Sequence, residues 1–193
     1  MRPANILGFA MLSAFLSTKV DAQTALPSID RALSAVTLSF ENDGGMDRAV
    51  LALGDNDADL YIFRHDDSQD TIAGAVKLAM VKKSAVWSGA MWGTLPSLEV
   101  NAKGSLVVKS ANIAIGRSRW EEAMTVVKRG DDYVVIGLTY SSHDTIDLKI
   151  GGNCDLNFAT GKGARNGKPV SVEARPIKLA DWNADDLPKA CQF

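Results

Sequence analysis

The chain has 193 residues with 21 basic and 23 acidic side chains, a formal net charge of −2 at pH 7. That near-balance lacks the basic excess that nucleic acid or an anionic membrane surface demands, so neither is an expected partner. Two cysteines and two histidines leave a zinc centre poorly stocked.

Residues 1–22 read as a secretory signal peptide. Arg2 supplies the positive start, Ile6 to Leu16 the apolar run and Val20-Asp21-Ala22 a small-x-small cleavage site. The run is too short for a comfortable membrane span, and no second long apolar segment follows. Removing this helical leader takes away Arg2, Lys19 and Asp21. The mature chain, 23–193, then has 193 − 22 = 171 residues with 19 basic and 22 acidic side chains, net −3. That is one domain's length, and such a chain buries about 70% of the surface its unfolded form exposes. The product is expected in the periplasm or outside the cell, not spanning a membrane. There, Cys154 and Cys191 invite a disulfide that staples the C-terminal tail.

Leu26 to Ser34 carries an early Pro and apolar residues at Ile29 and Leu33, a spacing that predicts a short helix. Then the period changes. Thr37 to Phe40, Arg48 to Leu53 and Asp59 to Arg64 are β-like runs between loops rich in Asp, Asn and Gly. Residues 41–70 hold nine acidic side chains against Arg48 and Arg64. Gly74 to Val86 suits a helix by composition, but Val76, Leu78 and Met80 alternate as in a strand, and its neighbours are strands. Trp87 to Pro96 is a Gly-broken loop. Leu98 to Val100 and Leu106 to Lys109 form a hairpin about an Asn101–Gly104 turn.

The strongest hairpin signal lies at Trp120–Asp147. Met124 to Val127 and Tyr133 to Ile136 are runs of strand-formers about the turn Arg129-Gly130-Asp131-Asp132. Consecutive apolar residues in both runs mark a central pair covered on both faces. Asp155 to Phe158 and Val170 to Glu173 finish the sheet around the Gly-rich Thr160–Gly167. The tail from Leu179 onward should lie on the surface apart from its anchors. About ten short strands point to a mainly β fold: one antiparallel domain, a sandwich or curled sheet of partial-propeller character.

Ser39 to Leu51 is the most specific local signal. Glu41, Asp43 and Asp47 fall on odd positions of a nine-residue loop opened by Ser39, with Gly45 able to offer its carbonyl, an oxygen-rich pattern suited to Ca²⁺. The loop resembles the FG-GAP (VCBS-type) loop of integrin-like β-propellers, in which D-x-N-x-D-G-x-x-D runs into an apolar strand. That resemblance implies a Ca²⁺ site at Glu41, Asp43 and Asp47, although Ser39 stands where the family has its leading Asp and Glu41 at its second ligand position. The alternative is a loop kept only as a turn. More widely, VWSGAMWGTLPSLEV, GRSRWEEAMTVV, DDYVVIGLTYSSHDTIDL and NFATGKG resemble exported bacterial proteins of unknown function with an FG-GAP-like N-terminal strand pair. That family transfers no catalytic residue.

Other motifs are incomplete. Thr160-Gly161-Lys162-Gly163 lacks the Ser or Thr that a phosphate loop needs after Lys. Ser141-Ser142-His143-Asp144 sets triad residue types side by side, without the strand–elbow–helix context of a nucleophile. Gly54 to Asp59 suits a solvated turn, and Arg117, Arg119 and Lys128-Arg129 a solvated basic face. Trp87, Met91 and Trp92 form the candidate contact surface, since rigid aromatics supply contact area at low entropic cost; the alternative is that the two Trp cap the end of the sheet. Three functions follow from different classes. They are a non-enzymatic binding protein that offers its loops to a protein or cell-envelope partner, a Ca²⁺-stabilised adhesion-type module, and an envelope hydrolase with an unrecognised carboxylate pair. The first is preferred, because no motif supplies a nucleophile, base and oxyanion set.

Overall fold

The structure, a computed structural model, describes residues 29–55, 57–66 and 76–193. The expected leader 1–22 lies outside these residues, as does the start of the predicted 26–34 helix. Twelve strands are seen among the described residues. β1 (Ala32–Leu38), β2 (Asp47–Leu53), β3 (Ala58–His65) and β4 (Val76–Val86) form a four-stranded antiparallel meander. β5 (Ser97–Val100), β6 (Leu106–Asn112), β7 (Ser118–Arg129), β8 (Asp132–Asp144), β9 (Gly151–Asn157), β10 (Lys162–Arg165) and β11 (Lys168–Ser171) form a second meander. β12 (Ile177–Lys178) joins it beside β8, and the sheet does not close into a barrel.

Alternation along the strands puts one face of each sheet into a shared core. From the small sheet come Ala49, Leu51, Leu60 and Ile62, all fully buried. From the large sheet comes a row of directly opposed residues, Val108, Met124, Leu138 and Leu156, on β6 to β9. At about 25 cal/mol per Å² of apolar surface, such rows supply most of the drive to fold. The sheets also touch at their edges, where the Ser34 hydroxyl oxygen accepts from the Leu98 N–H at 3.0 Å.

The predicted central hairpin is the longest pair. β7 and β8 run 12 and 13 residues, and Arg129 faces Asp132 across a two-residue turn. Gly130 takes φ +57° at the first central position, which a hairpin turn of this length reserves for Gly. Ile136 is squeezed out of register between Gly137, opposite Thr125, and Val135, opposite Val126. Tyr133, Val134 and Val135 are all buried, so this stretch is covered on both faces as its composition implies.

Two readings change. The helix expected at 26–34 is overturned in its described part, where β1 already starts at Ala32 and pairs with β2 from Ala52 onward. Pairing satisfies every second backbone group there, and Leu33 and Val36 pack on the core, so tertiary contact overrides the four-residue spacing of Ile29 and Leu33. The Gly54–Asp59 turn is less solvated than expected. Asp59 is buried, accepts the Ser84 N–H at 3.0 Å and pairs with Lys83 at 2.6 Å.

The tail crosses the core face of the large sheet in two 3-10 turns, Leu179–Asp181 and Lys189–Cys191. Leu179, Trp182 and Cys191 are its buried anchors, and a disulfide joins Cys191 to Cys154 on β9, 37 residues away in sequence. No helix among the described residues is long and apolar enough to cross a membrane. Closing a loop of that length removes about 3–4 kcal/mol of chain entropy from the unfolded state. Urea unfolding of a Cys191→Ser variant should therefore show a loss of about this size, with little change for the wild type until reductant is added.

Candidate functional site

Glu41, Asp43 and Asp47 gather on one side of the small sheet, around side chains carried by β3 and β7. Asp47 is fully buried. Its Oδ1 accepts from Arg64 Nε at 2.9 Å, the His65 N–H at 3.0 Å and the His65 ring Nδ1 at 2.8 Å, and its Oδ2 accepts from the Phe40 N–H at 3.0 Å. Burial opposes its ionisation, yet the His65 ring, the two backbone donors and Arg64 together hold its carboxyl below the usual range. Glu41 accepts from Lys128 on β7 and from Arg64 at 2.7 Å, so it ties the two sheets together. Asp43 accepts from the Ser39 hydroxyl at 3.0 Å and the Gly45 N–H at 2.9 Å, and lies 3.5 Å from His65 Nε2. A Cβ on Gly45 would run into the His65 ring, which explains why the smallest residue stands there. Among the described residues no three His, Cys, Asp or Glu side chains are grouped to hold a metal ion. The loop's carboxylates instead meet cations of the chain itself.

The loop after β4 divides the predicted aromatic set. Gly89 and Gly93, both at positive φ, bracket a 3-10 turn that holds Met91 and Trp92 outward, 85% and 55% exposed. Trp87 turns the other way. The Ser110 hydroxyl donates to the Trp87 carbonyl at 2.8 Å, and the Trp87 ring meets Trp120 at 5.5 Å, tilted by 58°. From there a ladder of rings crosses the sheet: Trp120 to Tyr140 at 6.3 Å, Tyr140 to Phe193 at 6.5 Å, with Arg165 over Phe193 at 4.8 Å.

Beside Trp120 and Trp87, at the end of the core face, lies a cavity of about 100 Å³ that also touches Ser110, Glu122, Asp57 and Asp185. Glu122 is 9% exposed and has neither a hydrogen bond nor an ion pair among the described residues. Burial alone pushes its carboxyl up to about 7. Asp57 is also raised, by burial first and then by the charges of Asp185 and Asp59, against a hydrogen bond from Ser84. The sequence reading missed Glu122. It opposes Ser110 and Tyr140, two residues along from the Val108–Met124–Leu138 row, so period-two counting from Met124 and Val126 would have placed it inside.

The opposite face of the same strands forms a groove of about 600 Å³. One row of its floor is Lys109, Ala123, Thr139 and Asp155, and the next is Ala111, Glu121, Ser141 and Asn153. Leu95, from the loop that carries Met91 and Trp92, borders it. No family model, no curated protein and no solved structure matches the chain.

The remaining motifs are scattered. Ser141 to Asp144 lie along β8, where alternation sends neighbours to opposite faces. Thr160 and Gly161 form a turn whose N–H groups donate to the Asn157 carbonyl. The basic residues divide between the ends of the hairpin: Arg117 pairs with Asp144 at 3.0 Å, while Lys128 serves Glu41.

Two outcomes follow. Replacing Asp47 by Asn strands Arg64 and the His65 ring beside a neutral group and should cost about 3 kcal/mol. Because its folded pKa is depressed, Asp47's contribution is complete above the ordinary value of 3.8 and vanishes as pH falls through the lower folded value. The stability gap between wild type and variant in urea should therefore close only in strong acid. Glu122 behaves in the opposite sense. Its folded pKa is raised from 4.5 to about 7, so its ionisation penalty is absent below 4.5, grows between these values and is complete above the upper one. Glu122→Gln should match the wild type near the bottom of that window and exceed it by about 3 kcal/mol above it, as read from urea midpoints across pH.

Proposed function

We propose that this is an exported, non-enzymatic binding protein that holds a protein or cell-envelope partner in the outer groove of its large sheet. The observation that carries this reading is the pairing of that groove with the outward loop. Two regular rows of small and hydrogen-bonding side chains are bordered by Leu95, and Met91 and Trp92 stand exposed on the same loop. Aromatic and aliphatic anchors at a polar rim are the usual makings of a contact site, whereas scattered single apolar residues are ordinary surface. Export agrees with the Cys154–Cys191 disulfide, which an oxidising compartment preserves.

The test compares partners captured from envelope extract by the wild type, by Trp92→Ala and by Ser141→Arg, which fills the groove floor. Loss of a hot-spot Trp should weaken a specific partner by at least about thirtyfold. The partner should disappear with both variants. Retention of the same partner by both would remove the role given to the groove and its rim.

A further inference from the structure

The inner cavity carries chemistry that the outer groove does not need. Two residues of its lining are tryptophans, Trp87 and Trp120, whose rings meet at 5.5 Å and 58°. Beside them on the cavity wall is Glu122, a carboxylate on a 9% exposed residue, left without any partner among the described residues. Asp57 and Asp185 add two more carboxylates, and among the described residues no Lys, Arg or His lines the space. A lone buried carboxylate is costly, and nothing among the described residues compensates it. Indole faces attract cations more strongly than any other ring does, and most strongly when the cation sheds little water on entering.

We propose that the Trp87–Trp120–Glu122 cavity is a binding site for a small methylated ammonium group. Size supports this choice. The cavity's volume of about 100 Å³ is that of about three water molecules, enough for such a head group. Chemistry supports it as well. The indole walls give no acceptors to coordinate a hard metal ion, and the cavity's three carboxylates are not grouped as ligands. A bound cation also removes the penalty of ionising Glu122, so site and ligand stabilise each other's charge. The outer groove is floored by the residues that alternate to the opposite face of the sheet, although Ser110 and Glu122 border both spaces.

The experiment is a tryptophan-fluorescence titration of the purified protein at pH 8 with choline, salt-matched with sodium chloride. Its neutral isostere, 3,3-dimethyl-1-butanol, provides the control. Choline should give a saturable change at least about tenfold tighter than the alcohol, since a desolvated cation–π contact plus an ion pair is worth more than the shared apolar surface. Glu122→Gln should weaken choline by at least that factor and leave the alcohol unaffected. Asp185→Asn, on the exposed tail and harmless to the core, should weaken choline by a smaller factor. Equal affinity for choline and the alcohol would show a merely apolar hole and overturn the proposal. So would unchanged choline binding in Glu122→Gln, or no saturable response to choline in the wild type with its thermal melt intact.

Discussion

The core face of the large sheet is longer than the sheet that covers it, and the rest of the molecule answers to that mismatch. β7 and β8 run 12 and 13 residues, about 40 Å, while β1, β2 and β3 run only seven or eight and only the edge strand β4 reaches 11. The small sheet packs over the row of Val108, Met124 and Leu138, but the strands continue past it. One turn of the pleat further along, the inward positions are Ser110, Glu122, Tyr140 and Cys154. Exposed rings and a bare sheet face would invite association, so something must lie over them. The tail does so, bringing Trp182 and Phe193 across the sheet and fixing itself through Cys191. The cavity beside Glu122 is the gap left where the loop before β3, the loop after β4 and the tail meet.

At the opposite end the sheets are joined by charge. A fully buried Asp47 would be untenable alone, and the chain answers with Arg64 and His65, adjacent on β3, while Glu41 carries the network across to Lys128 on β7. Most of this was legible as a loop and not as a network. The acidic spacing from Ser39 to Asp47 and the apolar strand after it were plain in the sequence. Their cations were not, because Arg64 and His65 lie 17 and 18 residues beyond Asp47 and Lys128 lies 87 beyond Glu41. Only strand pairing brings them together, and a register is not written in local spacing.

The fold was more legible than the site for the same reason. Runs such as Tyr133–Ile136 announce a strand through their own composition, and Gly130 announces the turn, so the central hairpin could be read locally. The Leu26–Ser34 misreading shows the limit, since a four-residue spacing in a short segment means little until its partner strand is known. Trp87 was picked out as an aromatic on a Gly-broken loop, but its ring packs against Trp120 on β7, a contact that only the fold creates. Glu122 was hidden by its neighbour: Glu121-Glu122 reads as a solvated pair, although alternation must send one of two adjacent strand carboxylates toward the core.

The two ends of the molecule treat buried carboxylate in opposite ways, and that contrast argues for function at one of them. Asp47 meets four donors and strengthens the fold, while Glu122 meets none among the described residues and, at neutral pH and above, costs about 3 kcal/mol. The disulfide's contribution, about 3–4 kcal/mol, is of similar size and opposite sign. It acts on the segment that carries Asp185 to the cavity and stacks Phe193 on Tyr140. A leucine at position 122 would satisfy the core with no such offset needed. Proteins tend to retain locally unfavourable choices where a ligand completes them, and here the unfavourable group, the aromatic walls and the stapled segment that closes over them all fall at one place.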